Sequence, residues 1–256
     1  MLNINKQIEI LEADRPFEVE ISGPPNAKIA VILVHGFGVK RDSRQMFTEI
    51  AVHLTNSMLC VCGDFSEIHS DFVLALPFSS QVKRLQIITE YTQGKFKPKH
   101  IVYIGHSQGC IVIAKLNPQN SKIFLLAPPV LDPYKKFINT DGWKNLGSNL
   151  NIQDKSRLVR SDLTIEVDPD FWLEFQNVNA EYLYSQLAKQ NQVEIVFAER
   201  DEVLEQQIAP TDMYAISIPG ANHDFKNPAR CQLINIILKS LEDYPNCSWG
   251  KVSIRQ

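Results

Sequence analysis

KHIVYIGHSQG, residues 99–109, decides how the rest of the chain is read. Ile101, Val102, Tyr103 and Ile104 form the short β-branched and aromatic run that suits a strand buried on both faces. Gly105-His106-Ser107-Gln108-Gly109 follows at once in the form G-x-S-x-G, and a helical pattern opens behind it and runs to about Leu116. At ordinary glycine and serine frequencies such a pentapeptide arises by chance in roughly one chain in ten, so the motif alone carries little weight. Its setting carries more. A turn from strand into helix holds a nucleophilic hydroxyl exposed and strained, and Gly105 and Gly109 let the two elements approach.

Working outward, the same kind of run recurs. QIEILE (7–12) and FEVEIS (17–22) read as amphipathic strands, and AKIAVILVH (27–35) as one buried on both faces. MLCVCGD (58–64), KIFLLAP (122–128), VEIVFAE (193–199) and MYAISIP (213–219) complete a set of about eight with the 99–106 run. Helical spacing appears at 44–56, 80–93, 107–116 and 228–241, the last with Leu233, Ile236, Ile237 and Leu241 on one face. Such alternation implies an α/β protein with a mostly parallel sheet covered on both sides. Residues 129–190 break it, offering no convincing strand, and a connection of that length needs structure of its own. Phe171, Trp172, Phe175, Tyr182, Leu183 and Leu187 have helix-like spacing there. The expectation is a helical cap at 129–190, inserted into a single domain spanning 1–256.

Composition narrows the function. The 256 residues are 44% hydrophobic with a formal net charge of -3, and no basic run is interleaved with aromatics, which argues against nucleic acid as a partner. The first 16 residues show no basic segment followed by an apolar one, and the longest apolar run, at 29–34, is far short of the roughly 20 residues that span a bilayer. Five cysteines, an odd count without a C-x-x-C pair, fit buried thiols in a reducing compartment, so the expected location is the cytoplasm. Cys60 and Cys62 would share one strand face, but no further ligand is spaced for a metal. Phosphoryl transfer and nicotinamide chemistry lack their glycine-rich loops, metal hydrolysis lacks H-E-x-x-H, and no cofactor is implied.

A serine hydroxyl needs a base, and among six histidines only His223, in PGANHDF after the strand at 213–219, follows Ser107. The acid should lie between them, past a strand end. Asp201 in AERDEV stands beside the loop of His223 and ranks first; Asp132 in APPVLDP also follows a strand, and Glu199 and Glu202 come after these two. Acyl transfer also needs donors for an oxyanion, and His35-Gly36-Phe37-Gly38 supplies a loop directly after a strand. The hole is assigned to the main-chain N–H groups of Phe37 and Gln108, with His35 as a structural residue.

HGFG, GHSQG, the acid in AERDEV and the histidine in PGANHDF together resemble the α/β-hydrolase superfamily over nearly the whole chain. The HGFG loop followed by KRDSRQMF is similar to the branch holding bacterial esterases, feruloyl esterases and monoacylglycerol lipases, although DFSEIHSD stands where that branch has an Arg-Gly-x-Gly turn. The resemblance implies a helical cap at 129–190. The reading is a carboxylic ester hydrolase acting on a small-molecule ester of short to medium acyl length. Thioesterase, lipase and aminopeptidase-like activities use the same machinery, and a non-catalytic binding protein on this scaffold is the alternative of another class.

Overall fold

The computed structural model describes residues 6–139, 156–159, 163–204, 208–210, 213–242 and 244, with Lys136, Phe137 and Asn139 described by their backbone alone. Its centre is β3 (Ile29–Val34), whose six side chains are all buried. β3 pairs in parallel with β4 (Leu59–Gly63) on one side and β7 (His100–His106) on the other. β8 (Lys122–Leu126), β11 (Gln192–Ala198) and β12 (Ala215–Ile218) continue the parallel sheet, and β1 (Lys6–Leu11) and β2 (Phe17–Ser22) close its other end as antiparallel strands. The order is β1-β2-β4-β3-β7-β8-β11-β12, and all eight strands expected from the sequence lie in it.

Successive residues of a strand face opposite sides, so β3 feeds two cores. Ile29, Val31 and Leu33 pack with α1 (Met46–Leu54) and α7 (Ala229–Glu242), through Met46, Phe47, Leu233 and Ile237 among others. Ala30, Ile32 and Val34 pack toward α2 (Phe78–Phe96), α3 (Gln108–Leu116) and α6 (Ala180–Ala188). Each such Ile, Val or Leu, fully withdrawn from water, contributes on the order of 1.5–3 kcal/mol before the entropy of ordering is counted.

The interval 129–190 departs from expectation. Besides α4 (Pro133–Asn139), α5 (Pro169–Gln176) and α6, it contains the strands β9 (Ser156–Val159) and β10 (Thr164–Val167), so an interval of helices alone is wrong. These strands join β5 (Ser66–Ile68) and β6 (Phe72–Ala75) in a second sheet of order β5-β6-β10-β9, with β10 parallel to β6. Four residues are too few to show a period, and β10 reaches its partner β6 across some ninety residues of chain. α6 lies against α3 as a layer beside the main sheet. Trp143 and residues 140–155 and 160–162 of the interval, like Cys247, lie outside the described residues.

The strand and helix that carry Ser107 meet the rest of the sheet with almost no clearance. A Cβ on Gly109, at the start of α3, would lie 2.1 Å from the carbonyl oxygen of Val34 and 2.7 Å from that of His35. Both obstacles are backbone, which cannot turn aside. Gly109→Ala should therefore destabilise the protein by about 1–3 kcal/mol, the usual cost of overpacking, read as a lower urea midpoint at unchanged m-value; an unshifted midpoint would refute this close-approach account.

Candidate active site

Ser107 links β7 to α3 with φ 51° and ψ -123°, a left-handed turn that a residue with a side chain enters only under strain. The turn is fixed from outside by the Ser107 N–H donating to Leu126 O of β8 at 2.8 Å. The loop after β3 runs against it, for a Cβ on Gly36 would stand 3.1 Å from the Ser107 Cβ. His35, buried at the head of this loop, accepts the Phe65 N–H on Nε2 at 2.9 Å, which leaves Nδ1 to donate to Gly36 O at 2.8 Å. That is the structural role expected of it.

His223 and Asp201 come from the far end of the sheet. Asp201 follows β11, and its Oδ1 accepts the N–H groups of Val203 at 2.9 Å and Leu204 at 2.8 Å, turning Oδ2 toward His223 Nδ1 at 2.8 Å. Both side chains are buried, with Asp201 only 1% exposed and His223 8%. The His223 N–H donates to Glu202 Oε2 at 3.0 Å. From below, Arg230 of α7 donates to the carbonyls of Asp224 and Phe225. Asp132 lies elsewhere, paired with Lys135 at 2.9 Å on the surface, and Glu199 accepts the Gly220 N–H at 2.7 Å.

Phe37, Ser107, Gln108, Val203 and Leu204 line one small cavity, closed over by Pro129, Pro133, Phe171 and Phe175. Its free volume is about 20 Å³, room for little more than one water. The wall is built from aromatic packing, with Phe37 and Phe78 each within 5.4 Å of Phe171 between ring centres. A larger cleft of about 700 Å³ opens between β2, β5 and Arg84, but none of Ser107, His223 and Asp201 lines it. Its charges are largely spent on one another, Arg41 on Asp64 and Glu18, Arg15 on Glu67. Among the described residues, no three His, Cys, Asp or Glu side chains are grouped to hold a metal, and no helix is long and apolar enough to cross a membrane.

No family model matches the sequence, and neither does any curated protein. Solved structures do match. The esterase domain of a Rhodothermus marinus protein superposes with a TM-score of 0.67 at 14% identity, over 93% of this chain and 97% of that one. Est1E from Butyrivibrio proteoclasticus gives 0.65 at 14% identity over 92% and 99%, and an esterase from Pyrococcus furiosus 0.66 at 12% over 94% and 91%. An α/β serine hydrolase from Xanthomonas campestris, described as lacking a lid, gives 0.58 at 14% over 93% and 94%. The chain has the α/β-hydrolase fold.

Within this α/β hydrolase fold, several polar residues near His223 went unrecognised in the sequence. His106 sets Nε2 at 3.0 Å from the main-chain oxygen of His223 and Nδ1 at 3.2 Å from Ser43 Oγ, and Arg44 reaches Asp224 at 2.8 Å. Only the position of His106 within G-x-S-x-G hinted at such a role, because the partners lie 63 and 117 residues away. Burial, reinforced by the neighbouring His223 ring, pushes the His106 imidazole down to about 3. Burial also lowers His35. For Asp224, burial acts to raise the carboxyl, but Arg44, with His106 and His223, outweighs it and leaves it below its ordinary value.

Folding holds both buried histidines below the ordinary 6.5 at which they protonate once unfolded, so unfolding takes up protons below that pH. Their effect on stability is nil well above pH 6.5 and unfavourable below it; for His106 the loss grows by up to about 1.4 kcal/mol per unit as pH falls toward 3, and for His35 it has the same sign. Denaturation midpoints should fall between about pH 7.5 and pH 5, and His106→Gln should flatten that slope by an amount that approaches one proton at the acid end. An identical slope in the variant would show that His106 titrates normally in the fold.

Proposed function

We propose that the chain is a serine hydrolase that cleaves carboxylic esters of short to medium acyl length. The observation that carries this is the buried 2.8 Å contact between His223 Nδ1 and Asp201 Oδ2, on loops tied to the strained turn at Ser107 by the His106 contact with His223 O and by the cavity that Ser107 shares with Val203 and Leu204. Nδ1–H donated to a carboxylate leaves the lone pair on Nε2, the form needed to take a proton from a hydroxyl. Ser107 Oγ would attack the ester carbonyl as its proton passes to His223, with Asp201 stabilising the imidazolium. The main-chain N–H groups of Phe37 and Gln108 would hold the oxyanion, His223 would protonate the leaving alcohol, and water would repeat the sequence on the acyl-enzyme.

The solved structures that superpose on the chain, named as esterases and an α/β serine hydrolase, support this reading. The lining beside Ser107 supports an apolar acyl group, since seven of its nine residues are apolar and four of them, Pro129, Pro133, Phe171 and Phe175, come from 129–190, the segment we assign as the cap; at about 20 Å³ the space itself admits no acyl chain unless that wall parts. A space of about 20 Å³ speaks against turnover of an ester there and makes a non-catalytic protein on the same scaffold the second reading. The substrate would be a small molecule, not nucleic acid, and the buried free thiols Cys60, Cys62 and Cys110 favour the cytoplasm.

Hydrolysis of p-nitrophenyl esters from acetate to palmitate tests the proposal. Activity should peak at short to medium chains, fall by roughly 10⁴-fold or more in kcat for Ser107→Ala, and fall by orders of magnitude for Asp201→Asn. Activity surviving in Ser107→Ala would overturn the serine mechanism. An unaffected Asp201→Asn rate would pass the acid's role to another carboxylate, with Glu202, which accepts the His223 N–H, next in line and Asp132 too far away on the surface, and silence across the series in folded protein would favour the non-catalytic reading.

A further inference from the structure

Between the loop after β3 and α1, Ser43, Arg44 and Gln45 take φ of 46°, 53° and 69°. Three consecutive residues with side chains in the left-handed region are costly, and such strain persists only where the surroundings hold it. What holds these residues is the histidine side of the site. Ser43 Oγ meets His106 Nδ1 at 3.2 Å, His106 Nε2 meets His223 O at 3.0 Å, and Arg44 pairs with Asp224 at 2.8 Å. The proton positions follow from chemistry, because a carbonyl only accepts. Nε2 of His106 therefore carries the hydrogen, a neutral ring then offers a lone pair at Nδ1, and the Ser43 hydroxyl must donate to it.

We propose that Ser43 and His106 are positioning residues, a relay from Ser43 O–H through neutral His106 to the His223 carbonyl that sets the catalytic histidine's place relative to Ser107. The inference rests on the reading of Ser107 and His223 given above. His106 is chain neighbour to Ser107, so one hydrogen bond ties the turn carrying the nucleophile to the loop carrying the base. His223 is then held at its N–H by Glu202, at its carbonyl by His106 and at Nδ1 by Asp201, with Nε2 left for the reaction. The charged and titratable groups facing His106 are His223, Asp224 and Asp201. Burial beside the His223 ring, 4.9 Å away between centres, keeps His106 uncharged, as a donor to a fixed carbonyl must be if its other nitrogen is to accept.

Histidine ¹⁵N NMR reads the relay without any turnover. In wild type and in Ser107→Ala, His106 should appear as the Nε2–H tautomer, unprotonated from about pH 8 to pH 5. An Nδ1–H tautomer, or titration near the ordinary pKa, would overturn the proposal. Positioning itself is read from the rate at which a fluorophosphonate labels Ser107 and from ester kinetics where the wild type turns over. His106→Leu should slow labelling and kcat by about 10- to 100-fold with KM nearly unchanged, as expected of an ångström-scale misplacement, and Ser43→Ala should slow them less. His106→Gln keeps a donor for the carbonyl and an acceptor for Ser43, and should recover most of the rate. Equal rates in wild type and His106→Leu, or a loss that glutamine does not mend in a folded protein, would refute the positioning role. Wild type that resists the probe would instead count against the Ser107 reading, leaving the tautomer measurement to decide the relay.

Discussion

The turn at Ser107 is the constraint on which the arrangement around it depends. A side chain held at φ 51° between a strand and a helix has to be forced there, and the forcing is done by close backbone approach. α3 can begin where it does only because Gly109 lets the helix touch the carbonyls at the end of β3, while Leu126 of β8 takes the Ser107 N–H. Two strands flanking β7 thus set one torsion. The parallel sheet, whose central strand is buried along its length, is the rigid body that makes such forcing possible.

Around that turn the protein buries several polar groups, and all but the Gln108 side-chain oxygen have a partner that defines their state. His35, His106, Asp201, His223, Asp224 and Arg230 are all buried. An unpaired group of this kind costs about 1–3 kcal/mol, more when charged, so the hydrogen bonds act mainly by preventing a loss. They also fix orientation. Asp201 is turned by two main-chain donors before it meets His223, and His106 by a carbonyl on one side and a hydroxyl on the other. Remove one partner and the rest are left buried without it, which is why the cluster behaves as a unit.

The aromatic wall above Ser107 obeys a looser rule. Phe37, Phe78, Phe171, Trp172 and Phe175 pack by area and ring geometry, with no dependence on a single contact. The wall draws on the loop after β3 and on α5, with Phe78 of α2 packed behind it, so the cavity is shaped where stretches far apart in the chain meet.

How much of this could be read in the sequence follows from the range of the forces involved. The eight strands of the main sheet and the helices at 46–54, 78–96, 108–116 and 229–242 show as local patterns, because burial on one or both faces imposes a period over a few residues. Ser107 could be found from glycines adjacent in the chain, and His223 from elimination and a strand end, so both candidates rest on local signals. β9 and β10 could not be found, since four residues show no period and the pair joins a sheet only because β10 lies beside β6, some ninety residues earlier. Nor could the choice of Asp201 over Asp132 be settled, because both stand past strand ends and differ only in which loop they face in space. The sequence by itself determined the sheet, the turn and the kinds of residue available to it. Only the tertiary structure decided which carboxylate meets the imidazole and which serine holds His106, because hydrogen bonds between residues far apart in the chain leave no period for a sequence to carry.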